Sequence, residues 1–137
     1  MLPEKVTIDF VLLADFAQTV NGKLTVVGAG WNILNAVEYP HQLPFGIGLG
    51  FLVPWAETNK KHAFTFVIHQ SEGMELAKGG GEFEVGRGAG IPSGMTQRVV
   101  IAVSGQVQVP ESGTYEIIVA AAEDEKRAIF EAMPAKR

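Results

Sequence analysis

Apolar side chains recur at every second position through most of this chain, a period that commits it to β-strands rather than helices. In the first segment, Val6 to Val20, the residues Val6, Ile8, Phe10, Leu12, Ala14 and Phe16 share one face, and Asn21-Gly22 follows. Both residues of that dipeptide accept positive φ, which makes it a strong signal for a two-residue hairpin turn. Lys23 to Ala36 is then the returning strand. A turn this short sets the register. With Val20 opposite Lys23, Phe16 faces Val27, Ala14 faces Ala29, Leu12 faces Trp31 and Phe10 faces Ile33, a surface suited to a core. The same register sets Asp15 opposite Gly28 and Leu13 opposite Gly30 on the other face.

Further strands are expected at Leu43 to Val53, Ala63 to Gln70 and Thr114 to Ala122, with Arg98 to Val109 as one strand or a bent pair. In Leu43–Val53, Phe45, Ile47, Leu49 and Phe51 share one face, while Gly46, Gly48 and Gly50 leave the other bare. Ser71 to Gln97 holds eight of the sixteen glycines and reads as loop, with a short strand at Glu82 to Val85. Residues 123–133 admit either a helix, from their Ala, Glu, Lys and Arg content, or a turn at Glu123-Asp124-Glu125-Lys126 and a returning strand. The hairpin is preferred, because a lone short helix has no place in a stack of strands. Seven or eight strands with turns every 8 to 12 residues predict one antiparallel β-sandwich domain over residues 1–137, with a closed barrel as the alternative.

The bulk composition narrows the function classes. The 11 Lys and Arg are scattered and the net charge is −4, so no basic stripe converges on phosphates or on an anionic membrane. The absence of cysteine removes thiolate chemistry, disulfides and Cys-based metal sites. The start lacks the basic region and apolar core of a secretory signal, and apolar runs such as Phe10 to Ala14 are too short to span a bilayer. A cytoplasmic location is expected.

Leu12-Leu13-Ala14-Asp15-Phe16-Ala17, Asn21 to Gly28, and Pro110-Glu111-Ser112-Gly113-Thr114-Tyr115-Glu116 together resemble a bacterial family of uncharacterised small β-sandwich proteins. The likeness lies at both ends of the chain and not in the glycine-rich middle. It implies the sandwich and the final hairpin, and it carries no activity.

Each candidate site competes with a plainer role. Gly46-x-Gly48-x-Gly50 lacks the helix and spacing of a dinucleotide loop; a bulky neighbour, Trp31 or Trp55, or a partner chain is expected to lie on that face. Gly79-Gly80-Gly81 and Gly86-Arg87-Gly88 could cradle an anion but lack the following residues of a phosphate loop. His62 and His69 lie seven apart, on opposite faces of one strand, so they share no metal. Glu82 and Glu84 read as a solvated strand face rather than as paired catalytic carboxylates. Ser93 and Ser104 have no nucleophile-elbow context. No catalytic residue, metal ligand or cofactor is assigned.

Asp15 interrupts an apolar strand beside glycines. With Gly28, Gly30, Trp31 and Trp55 it forms the candidate ligand-binding set. Gly46, Gly48, Gly50, Pro54 and Arg87 form the candidate interface set. The expected function is a non-enzymatic interaction or structural module that pairs with itself or another protein, as a homo-oligomer or part of an assembly, without nucleic acid or membrane. The alternative is a domain that binds a small ligand such as a carbohydrate, and a concave pocket near Asp15 containing a Trp would favour it.

Overall fold

In the computed structural model, which describes residues 4–135, β5 (His41–Val53) is the spine of the core. Its alternate residues Ile47, Leu49, Phe51 and Val53 are fully buried on the inner face. On either side of β5 run β1 (Thr7–Ala14) and β8 (Gln97–Val109), both antiparallel to it, in a sheet ordered β1-β5-β8. The second sheet has the order β4-β10-β9-β6-β7, built from β4 (Ile33–Leu34), β10 (Asp124–Ala132), β9 (Gly113–Ala121), β6 (His62–Gln70) and β7 (Glu75–Phe83). Phe64, Phe66 and Ile68 of β6, Tyr115, Ile117 and Val119 of β9, and Phe130 of β10 complete the same buried cluster. Two sheets enclosing one apolar layer, not closed into a barrel, make a β-sandwich.

The Asn21-Gly22 turn forms as read. Both residues have positive φ, 51° and 72°, and β2 (Phe16–Val20) pairs with β3 (Lys23–Val27) from Val20–Lys23 to Phe16–Val27. Beyond that pair the expected register fails. Ala14, Leu12 and Phe10 lie opposite Gly46, Gly48 and Gly50 of β5, and not opposite Ala29, Trp31 and Ile33. Gly28 and Gly30 adopt φ of 64° and 91°, a left-handed course that carries the returning chain off the ladder. It reaches β10 instead, where Ile33 and Leu34 pair in parallel with Glu131 and Ala132.

A register shift between Ile8 and Phe10 then reverses which face is buried. An extra residue in one strand inverts the alternation downstream of it. Ile8 and Leu13 are in the core, Phe10 and Leu12 are half-buried on the outer face, and Phe16 is 45% exposed. The expectation that Phe10, Leu12 and Phe16 all face the core is therefore corrected; Trp31 is half-buried and packs against the core.

Freed from β1, the β2–β3 hairpin lies over the outer face of β5 and β8. The Ser104 hydroxyl donates to Ala17 O at 3.1 Å. The bare stripe is filled from within the chain. A Cβ on Gly46 would meet the β2 backbone, one on Gly48 the Leu24 and Val26 side chains, and one on Gly50 the Phe10 ring. Neither tryptophan covers it.

The glycine-rich segment is less irregular than its composition implies. Residues 75–83 form the nine-residue β7 rather than loop, paired with β6 through Gly79, Gly80 and Gly81. The Phe66 ring lies over Gly79 and the Phe64 ring over Gly81, so aromatic side chains on β6 supply the packing that the glycines lack. Of the short strand expected at Glu82 to Val85, only Glu82 and Phe83 are strand, as the end of this longer one, and Glu84 and Val85 lie beyond it. The C-terminus resolves as the hairpin: Ala122, with φ of 53°, and Glu123 turn β9 into β10, and Asp124 pairs with Ala121. Residues 124–132 pair along their whole length with β9, and that ladder outweighs their helix propensity.

Candidate functional site

Where β1 passes into β2, three of the expected ligand-binding residues meet. The Asp15 amide donates to Val27 O at 3.0 Å and to Gly28 O at 3.2 Å, and the Gly30 amide donates to Leu13 O at 3.2 Å. Asp15 thereby pivots the chain from the sheet into the hairpin. Its carboxylate lies directly over Gly28: a Cβ there would stand 2.3 Å from Oδ2. With its positive φ, this position accepts no side chain. Among the described residues the Asp15 carboxylate accepts no side-chain hydrogen bond.

Trp31 follows Gly30 and packs edge-on against Phe130, with ring centroids 5.8 Å apart. Its indole N–H is buried with no acceptor among the described residues. Asp15, Trp31, Ile33, Leu34 and Leu43 line a cavity of about 200 Å³. Ile33, Leu34 and Leu43 supply its aliphatic wall, beside the carboxylate and the indole. Ile33, on the wall, is 52% exposed, and Val27, paired with Phe16 next to Asp15, is 57% exposed. Gly28 and Gly30 shape this site through the backbone without lining it.

Trp55 does not line this cavity. It lies in a single 3-10 turn, Trp55–Glu57, that follows the buried Pro54. The Arg87 guanidinium stacks 4.0 Å from the Trp55 ring centroid. Its Nε donates to Thr58 Oγ1 at 2.7 Å and its Nη2 to Trp55 O at 2.8 Å. The Thr58 hydroxyl, itself buried, donates to the same carbonyl at 2.7 Å. Pro54, Trp55 and Arg87 are thus one intramolecular clamp that ties the loop after β7 to the turn after β5. Replacing Arg87 by Gln is expected to lower stability by about 1 kcal/mol, from lost cation–π and hydrogen-bond energy, and to shift the Trp55 indole resonance in an ¹⁵N-correlated NMR spectrum while leaving that of Trp31 in place. Gly46, Gly48 and Gly50, the rest of the expected interface set, are buried under the chain itself.

A larger hollow of about 380 Å³ escaped the sequence reading. It lies between the β6–β7 and β8–β9 turns, with Gln70, Ser71, Glu72, Glu111, Ser112 and Thr114 among its walls. Each turn is legible alone, but only tertiary contact brings them together. Its groups already bond each other: Gln70 Nε2 donates to Glu111 Oε1 at 3.2 Å, and the Tyr115 hydroxyl donates to Glu111 O at 2.6 Å.

Nearby, His69 Nε2 lies 3.7 Å from Glu116 Oε2, longer than a direct hydrogen bond. That carboxylate is also engaged by Arg127 at 2.8 Å. Among the described residues no group of three or more His, Asp or Glu side chains is placed to hold a metal ion, and no helix is long and apolar enough to cross a membrane.

No curated protein matches the chain. Residues 9–130 match the model of a family of unknown function, DUF6941, and the match spans the glycine-rich middle as well as the two ends that carried the resemblance. A β-sandwich with Asp15 and Trp31 at the junction of two sheets and a hairpin, the chain belongs to the DUF6941 family of unknown function.

Proposed function

We propose that this protein is a non-enzymatic binding module that captures a small amphipathic ligand in the cavity between Asp15 and Trp31. The observation that carries the reading is the convergence of one carboxylate and one indole on a small hollow walled by three aliphatic side chains. A largely apolar concavity with a few fixed polar groups is the general form of a ligand site. A volume of about 200 Å³ suits one short ligand or one side chain of a partner. The carboxylate selects for an amine or a hydroxyl, while Ile33, Leu34 and Leu43 favour an apolar body. A small alkylamine, or a sugar presenting a hydroxyl to Asp15, meets both demands.

A second reading, recognition of another protein, is favoured by the exposed cross-strand pair Phe16 and Val27 on the hairpin, since exposed apolar surface marks interaction sites. A cytoplasmic setting, with neither nucleic acid nor membrane as partner, goes with either reading, given the scattered cations and the cysteine-free composition.

The test is an NMR titration of the full chain with a panel of short alkylamines and monosaccharides. Binding is expected to move the Trp31 indole resonance and the amides of Asp15 and Leu43. Asp15→Asn is expected to weaken an amine about tenfold, as loss of a charge-assisted hydrogen bond implies. If no member of the panel perturbs Trp31, or if Asp15→Asn binds equally well, the reading fails.

A further inference from the structure

β7 is the outermost strand of the five-stranded sheet, so one row of its backbone N–H and C=O groups faces outward. Such an edge templates pairing with another strand unless something blocks it. Here the residues from Lys78 to Glu82 are all exposed, and the three between the charges are Gly79, Gly80 and Gly81. Two backbones could approach along this stretch without side chains between them.

The other edges differ. β4 is two residues long and covers only Glu131 and Ala132 of β10; the rest of β10 carries Arg127, which is held in ion pairs with Glu116 and Glu125. On β1 the Ile8 amide donates to Asp124 Oδ2 at 2.7 Å, so that edge is partly occupied. On β8 the one charged residue, Arg98, bonds Asp9 at 2.6 Å. On β7, by contrast, Lys78 and Glu82 take no part in an ion pair among the described residues. Lys61 lines the same shallow hollow as Glu82 without reaching ion-pair distance.

Lys78 and Glu82 lie opposite Val67 and Ala63 of β6, and Gly80 lies opposite Thr65, all on the outer face of the sheet. The two charges are therefore equidistant from Gly80, on one face and of opposite sign. We propose that the free edge of β7 is a self-pairing surface, at which two copies join antiparallel about a two-fold axis through Gly80. In that register Lys78 of each copy stands directly across from Glu82 of the partner subunit, twice over, and the glycines stand across from glycines. The five-stranded sheet of one copy then continues into that of the other. An isologous contact of this kind is self-complementary and closes at two copies. Moving the axis to Lys78 or to Glu82 sets like charges opposite each other, so the charges select the register as well as the partner. This pairing is independent of the Asp15–Trp31 cavity, which lies on other strands.

Sedimentation equilibrium of the full chain tests it, on the native sequence and on Lys78→Glu, Glu82→Lys and the double exchange. The native chain is expected to dimerise more weakly as salt rises. Each single reversal turns two attractive cross-strand pairs repulsive and is expected to weaken the dimer about tenfold or more. The double exchange restores opposite charges across the axis and is expected to return the affinity to within a few-fold of native. Circular dichroism of all four chains verifies that they fold alike, as exposed positions should allow. A native chain that stays monomeric up to ~1 mM, a dimer indifferent to both single reversals, or a double exchange no stronger than the singles would each overturn the proposal.

Discussion

Phe51→Ala is expected to cost about 3–5 kcal/mol of folding stability. The Phe51 side chain is fully buried on the central strand of its sheet. Its ring stacks on Phe83 at 4.6 Å between centroids and meets Phe64 at 5.5 Å, joining β5 to β6 and β7 across the sandwich. Truncation removes both the transfer energy of the ring and the contacts of the cavity walls it leaves behind. A domain with roughly 5–15 kcal/mol in hand would then sit close to unfolding at room temperature. Urea denaturation followed by circular dichroism checks this. Phe51→Leu, which retains most of the volume, is expected to lose only about 1–1.5 kcal/mol. A loss below about 1 kcal/mol for the alanine variant would mean that the sheets are not packed through this ring.

Gly46→Ala has the second large expected effect, and it tests the position of the β2–β3 hairpin. The new Cβ would lie 2.5 Å from Ala17 N and 2.6 Å from Phe16 C. Both are backbone atoms of β2, so no rotamer change relieves the clash and the hairpin must lift. A cost of about 2–3 kcal/mol is expected, at the upper end for overpacking, with faster hydrogen exchange at the β2 and β3 amides as the specific sign. Gly50→Ala provides the contrast. Its Cβ would meet the Phe10 ring at 2.2 Å, but that ring is half-exposed and can swing outward, so the cost should stay near 1 kcal/mol. Equal effects of the two changes would contradict the covering of the glycine stripe by the hairpin.

The alternation of Phe45, Ile47, Leu49 and Phe51 against Gly46, Gly48 and Gly50 was legible because β5 is buried on both faces, and each face follows a period of two without interruption. The hairpin at Asn21-Gly22 was legible because its chemistry is local to four residues. Its continuation past Phe16 was not. The turn sets the register only while both strands remain extended, and the left-handed Gly28 and Gly30 end that condition. The bulge after Ile8 then reverses the faces of β1, and a pattern that is apolar on both sides gives no sign of it. The strand through Gly79-Gly80-Gly81 was read as loop because the aromatic rings that pack over these glycines come from β6, a different part of the chain. Asp15 and Trp31 were singled out in advance, and the structure brings them to one cavity. Trp55 and Arg87 were singled out too, and they satisfy each other elsewhere.

Strand content, the hairpin turns and the sandwich class follow from the order of residues alone, because side-chain alternation and turn chemistry act over two to four positions. Which strand lies beside β1, what covers the glycine stripe, and which residues wall the Asp15 cavity were decided in three dimensions. Those outcomes depend on packing between segments distant along the chain, where burial and backbone hydrogen bonding outweigh any preference a short segment carries by itself.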